Sequence, residues 1–278
     1  ETCRQARFCL SEAMTSMEFL TLVNAYQYPV TEIGNGCDEL SKILRILQRR
    51  KPIPIPKSVL ADMCLWSMPL HDGTICKIHA LSPSQAANLL AKRELGTLLQ
   101  EGSERRRLFV RSPNHVAVVL WIQIGNLRIL LGADLEETTN SNTGWSVILS
   151  DSTCINGRAN LFKIPHHGSE TGHCPAVWDE LLSPRPIAVL TPFNRSDLPR
   201  EADRLRICSL TDKAYITTTQ QPKTQKRQKV VQDRIKAMTK RLTPLSYSMG
   251  HIRCRTKLGL QQPAWEVELL NDAKPLCN

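Results

Sequence analysis

Apolar positions change period along this chain. In "SMEFLTLVNAYQ" and "CDELSKILRILQRR" they recur at the spacing of one helix face, which predicts two helices in the first fifty residues. "KPIPIPK" then breaks the pattern. Its three prolines lack donors and restrict their neighbours, so an extended, exposed connector is expected. "TICKIHALSPS" reads as a strand running into a turn, and "SPSQAANLLAKRELGTLLQ" as a helix entered through a Ser-Pro step.

The middle of the chain is more regular. "HVAVVLWIQIG" and "LRILLGADLEE" are apolar strands joined by Gly125-Asn126, a tight-hairpin signal. "ANLFKIPHHGS", "RPIAVLTPF" and "KAYITTT" predict three more strands, with a short helix at "CPAVWDELLS". Nearly continuous apolar strands imply cover on both faces. Strands alternating with helices predict a layered α/β fold. "KRQKVVQDRIKAMTKRL" has helical spacing, and "AWEVELL" is expected to close the chain as an edge strand. The expected organisation is a helical segment and connector over 1–77, a core over 78–219, and a basic helical segment with a closing strand over 220–278.

Length and composition bound the class. With 278 residues, 41% hydrophobic and 22% charged, the chain can bury one sizeable core. No apolar run approaches the roughly 20 residues that span a bilayer. "ETCRQARFCL" carries charge where a leader needs an apolar stretch, and no Met opens it, so a chain trimmed or cleaved ahead of Glu1 is expected. The ten cysteines include no C-x-x-C pair, which argues against a zinc ribbon or a redox motif. Without a leader, reduced thiols and a cytoplasmic location are expected.

Charge is local. The net charge is +10, yet residues 223–257 hold eleven Lys or Arg and a single acid, Asp233. The remaining 25 basic and 25 acidic side chains balance. A run of this kind is either a solvated helix face or a phosphate-binding surface.

Two features carry candidate chemistry. Asp134 ends an apolar strand at "LLGADLEE". His166 and His167 sit on a Gly-Ser turn after another, in "FKIPHHGSE". Each alone has an ordinary reading, as a strand-end carboxylate or as satisfied imidazoles. Together, at the ends of neighbouring strands, they suit a divalent cation.

In order and spacing, "PNHVAVVLWIQIGNLRILLGADLEE", "FKIPHHGSE" and "SPRPIAVLTPF" resemble the second half of a metallo-β-lactamase-fold hydrolase. The nearest group is the metallo-β-lactamase domain of ComEC-type DNA-uptake proteins and related bacterial enzymes. The resemblance spans about Ile78 to Thr219 and implies the C-terminal portion of an αββα sandwich. It implies a site of two divalent cations, zinc or manganese, with Asp134 as the bridging carboxylate and His167 as the last metal histidine. His166 would be a neighbour facing substrate and Ser169 a hydrogen bonder at the rim. His115 reads either as an extra ligand or as a surface histidine at a strand start.

Two departures stand out. Ala133 occupies the usual glycine position before the Asp. None of the seven histidines is spaced H-x-H, so the family's H-x-H-x-D-H motif is missing. An N-terminal fragment or companion chain carrying that motif is therefore expected as a partner, with a proteolytic nick ahead of Glu1 as one route to it.

The expected activity is metal-dependent phosphodiester hydrolysis, with DNA as the leading substrate. Catalytic roles fall to His166 and Ser169. Lys223, Lys226, Arg227, Lys229, Arg234, Lys236, Lys240 and Arg241 would track the nucleic-acid backbone. "RRK" at 49–51 and "ERRRLFVR" at 104–111 are lesser basic clusters. With five Trp, four Tyr and five Phe, stacking platforms for bases are not evident. A same-fold hydrolase of a small phosphodiester or ester, and a metal-free binding subunit, are the alternatives.

Overall fold

The computed structural model describes residues 42, 45–47, 49–52, 58–100, 113–218, 229–238, 250–259 and 263–277. The helix expected within "SMEFLTLVNAYQ" lies outside them, as do most of "KPIPIPK", the 104–111 cluster, and Lys223, Lys226, Arg227, Lys240 and Arg241. The chain divides into two units, Glu1–Ser58 and Val59–Asn278. In the first, Lys42 and residues 45–47 are helical, in keeping with their apolar spacing.

The second unit is mixed α/β. Its strands are β1 (Met63–Pro69), β2 (Ile75–Ala80), β3 (Leu120–Ile124), β4 (Leu127–Leu131), β5 (Ala159–Lys163), β6 (Leu182–Leu190), β7 (Ala214–Ile216), β8 (His251–Arg255), β9 (Glu266–Leu270) and β10 (Lys274–Pro275). Its helices are α1 (Gln85–Gln100), α2 (Gly144–Asp151), α3 (Glu201–Leu210) and α4 (Lys229–Met238). An eight-stranded sheet runs β1-β2-β3-β4-β5-β6-β7-β10. It is antiparallel from β1 to β4, parallel from β4 to β7, and antiparallel again at β10.

Local chemistry sets these connections. Ile124 pairs directly with Leu127, so Gly125-Asn126 makes the two-residue turn that the sequence predicts, with Gly125 at φ +56°. Ser84 starts α1 by accepting from the Ala87 amide at 3.1 Å. Parallel pairing of β4, β5 and β6 requires crossovers; α2 lies between the first two and a wide helical turn at Val177–Leu181 between the next two. The boundary expected at 78 falls inside β2, because β1 and β2 extend the same sheet.

One sheet face carries the core. Trp121, Leu130, Phe162, Ala188 and Ala214 are neighbours in register across five strands, and all are buried. Trp145 and Ile148 of α2, Val177, Leu181 and Ile207 of α3 join them in a single apolar cluster. Trp145 and Trp178 meet the Phe162 ring edge-on, at 6.5 and 5.3 Å. Burying each such side chain stabilises by about 1.5–3 kcal/mol.

The opposite face is unevenly covered. Leu120, Leu131, Val189 and Tyr215 form its matching row, with Lys163 among them, and all five are only half-buried. The apolar strands predicted cover on both faces; this row is half-buried, while Leu161 and Ile187 on the same face are buried.

The closing strand also pairs elsewhere. "AWEVELL" contributes β9, which joins β8 in a separate two-stranded sheet, where Arg253 meets Glu268 at 3.0 Å. Cys208 of α3 and Cys277 form a disulfide, with Cα atoms 5.6 Å apart. That departs from the expectation of reduced thiols: the pairing of β10 with β7 carries the chain end back to α3, and position 69 residues away becomes adjacent. Among the described residues Cys64, Cys76, Cys154, Cys174 and Cys254 are free thiols. Among them, too, no helix is long and apolar enough to cross a membrane.

Candidate functional site

The carboxyl ends of β4, β5 and β6 lie side by side, the edge at which open α/β sheets bind ligands. Each delivers a loop: 132–137 with Asp134, 164–173 with both histidines, and 191–198 with Thr191 and Phe193. The first two loops are laced together. The His166 amide donates to the Ala133 carbonyl at 3.2 Å, and the Glu137 amide to the Thr171 carbonyl at 2.7 Å. Glycine is needed at 132, where an added Cβ would stand 2.9 Å from the Lys163 carbonyl. Ala133, in the position expected to hold glycine, is left-handed at φ +47°. That conformation costs a residue with a Cβ about 1–2 kcal/mol. Lys163 and His166 both donate to the Ala133 carbonyl and hold the turn in place.

Asp134 and His167 meet. The His167 Nε2 stands 3.8 Å from the Asp134 Oδ2. The other ring nitrogen, Nδ1, lies 3.0 Å from the Thr191 carbonyl and 3.1 Å from the Thr191 Oγ1; the carbonyl can only accept, which favours the neutral ring's proton on Nδ1. Nε2 then presents a lone pair to a carboxylate oxygen. Phe193 fixes the ring plane by stacking on it, centroids 5.1 Å apart and planes at 19°. On its other side Asp134 has Lys163, Nζ to Oδ1 3.6 Å. Burial lowers the Lys163 pKa, and the Asp134 charge opposes that shift.

His166 belongs to a separate cluster. Its Nδ1 stands 2.9 Å from the Glu136 Oε1 and 3.0 Å from the Thr171 Oγ1, whose own hydroxyl donates to the same carboxylate at 3.0 Å. Asn114 Nδ2 approaches His166 Nε2 at 3.4 Å. His115 reaches the far carboxylate oxygen of Glu136 at 3.9 Å and is partly exposed, as a surface histidine would be. Hydrogen bonds to a charged group contribute about 1.5–3 kcal/mol each, so Glu136 holds His166 firmly.

Ser169 departs from its expected place at the rim. It is buried at 9% exposure, and its hydroxyl caps the next turn by accepting from the Thr171 amide at 3.4 Å. The same oxygen lies 3.2 Å from the Thr171 Oγ1, which ties Ser169 to the His166 cluster.

The basic segment is described only in part. Lys229 and Arg234 are exposed on α4, together with Val230, Val231 and Met238. Lys236 lies in the same helix, and the remaining basic candidates fall outside the described residues.

Sequence reasoning passed over Glu136, Thr171, Thr191, Phe193 and Arg206. Glu136 had a signal: it stands two residues after Asp134, where a loop leaving the strand returns to the same side. Thr171, Thr191 and Phe193 had none, because each meets its histidine through space, and Arg206 reaches the turn only at the Gly168 carbonyl. Among the described residues, no group of three or more His, Cys, Asp or Glu side chains is arranged to hold a metal ion. Comparison with known proteins returned no match to a family model, a curated protein or a solved structure.

Proposed function

We propose that this chain is part of a metal-dependent phosphodiester hydrolase, with DNA as its substrate. The observation that carries the reading is the approach of His167 Nε2 to Asp134 Oδ2 at 3.8 Å. A divalent cation between Nε2 and Oδ2 would be held by both, whereas a protonated ring would make an ordinary ion pair with the carboxylate. An imidazole whose second nitrogen donates to a backbone carbonyl is the usual form of a metal-binding histidine. The donor set, one carboxylate and one imidazole, suits zinc or manganese.

Asp134 and His167 would hold the cation side of the site. When bound, divalent cations supply Lewis acidity and acidified water for phosphodiester hydrolysis at neutral pH. The chain's own residues do the rest. Thr191 and Phe193 orient His167. Glu136 and Thr171 would keep the His166 proton on Nδ1, leaving Nε2 to accept a proton beside the substrate. Lys163 and the exposed Lys229 and Arg234 supply positive charge for a phosphate backbone.

Two ligands cannot fill the coordination of two cations, so the reading includes further ligands from an N-terminal segment bearing H-x-H-x-D-H. The half-buried apolar row Leu120, Leu131, Val189 and Tyr215 supports a second sheet packed there, which would complete an αββα metallo-β-lactamase sandwich. The test is hydrolysis of plasmid DNA and of bis(p-nitrophenyl) phosphate with Mn²⁺ or Zn²⁺ by the chain together with that segment. Cleavage that vanishes in His167→Ala supports the reading; equal cleavage by the variant removes it.

A further inference from the structure

Resting on that reading of the site, we propose that Arg206 and Asp203 of α3 are positioning residues that set the His166–His167 turn. The turn is unusual in its backbone: His166, His167 and Gly168 are successive left-handed residues, at φ +43°, +54° and +80°. Two of the three carry a Cβ, which that region disfavours, so the surroundings must impose the conformation. The interlock with the Ala133 loop fixes the entry to the turn, through the His166 amide. The exit is fixed by α3.

Arg206 Nη2 donates to the Gly168 carbonyl at 2.8 Å and to the Asp203 Oδ1 at the same distance. Asp203 is 3% exposed, and its second oxygen accepts from the Arg200 amide at 3.0 Å, closing the first turn of the helix. The guanidinium therefore bridges a buried carboxylate anchored at the helix start and the carbonyl that follows His167. Packing reinforces the bridge. An added Cβ on Gly168 would lie 3.0 Å from Ile207 Cδ1 and 3.2 Å from Leu190 Cδ1, so α3 rests directly against the turn. A histidine can face Asp134 only while its backbone is held in this conformation, and Arg206 is the polar tie that holds it.

The test uses the full chain. Asp203→Asn combined with Arg206→Met removes both charges together and leaves no unpaired buried ion. Arg206→Lys keeps a charge for Asp203 but ends short of the Nη2 position that donates to both acceptors. Side-chain nitrogen NMR of the metal-free protein reads the His167 tautomer, and titration with Mn²⁺ or Zn²⁺ alone reads affinity. The wild type should show His167 protonated on Nδ1 only. The double variant, with its thermal unfolding still cooperative, should show mixed tautomers and bind metal about 10–100-fold more weakly, with the Lys variant between.

An unchanged tautomer and affinity in a folded double variant would overturn the proposal. Should the double variant not fold, Arg206→Lys decides it on the same two readouts. A wild type that binds neither metal would sink the metal reading, while the tautomer comparison would still settle the role of Arg206.

Discussion

His167 Nε2 lies 3.8 Å from Asp134 Oδ2 while its opposite nitrogen donates to the Thr191 carbonyl at 3.0 Å. The two residues are 33 positions apart and leave adjacent parallel strands. If they share a cation, Asp134→Ala and His167→Ala should each weaken Mn²⁺ or Zn²⁺ binding by more than the 10–100-fold that loss of an outer partner costs. Asp134→Ala should leave the thermal midpoint of the metal-free protein unchanged, since Asp134 is 44% exposed and its contacts are loose.

Glu136 should matter more to stability than His115. Glu136→Gln weakens the bonds from His166 and Thr171 and should cost about 1–3 kcal/mol. That corresponds to a fall of about 2–4 °C in thermal midpoint per kcal/mol for a unit of this size. His115→Ala removes a partly exposed contact at 3.9 Å and should shift the midpoint by less than a degree or two. Differential scanning calorimetry of both variants separates them.

A second carboxylate sets a pH dependence away from the site. Asp62 accepts from the Thr153 amide and hydroxyl at 2.7 and 2.8 Å and from the Cys154 thiol at 3.1 Å. Burial alone would raise its pKa, but these donors outweigh burial and lower it below 3.8. A carboxyl with a depressed folded pKa stabilises above its unfolded value and loses that contribution as pH falls through the folded one. Wild type and Asp62→Asn should therefore differ most near neutral pH and converge in acid below that range.

The same contact quiets a thiol. Burial, then the Asp62 bond and charge, push the Cys154 pKa up to about 12. Iodoacetamide at pH 8 should modify exposed Cys64 well before Cys154. Asp62→Ala should speed the reaction at Cys154, which peptide mass mapping reads directly.

For the basic segment, DNA affinity should fall steeply with salt, the logarithmic slope being about 0.9 per phosphate neutralised. Reversing Lys226, Arg227 and Lys229 to Glu should flatten that slope and weaken binding to all sequences alike. An unchanged slope would leave the charge as a solvated helix face.

Much of the central fold is legible in the sequence because its strands are apolar and punctuated. The Gly125-Asn126 turn, the strand ends at Asp134 and His166, and the order of β3 to β7 all follow from local pattern. β1 escapes because "MCLWSMP" has no clean alternation, and most of it is exposed against β2 alone. Asp134 and His167 could be singled out because each closes its own strand. The bond from the Thr171 amide to the Ser169 hydroxyl was not legible, since nothing local says that the hydroxyl turns back to cap that turn. Arg206 is 38 residues past Gly168, and Cys277 is 69 past Cys208; only the folded sheet brings such pairs together.

The most direct measurement is calorimetric titration of the metal-free protein with Zn²⁺ and with Mn²⁺, run on wild type, Asp134→Ala and His167→Ala. The expected result is weak but saturable binding by the wild type that both substitutions weaken further or abolish, since each deletes one of the two ligands this chain supplies. Metal binding of equal affinity in all three proteins would place the cation elsewhere and contradict the account.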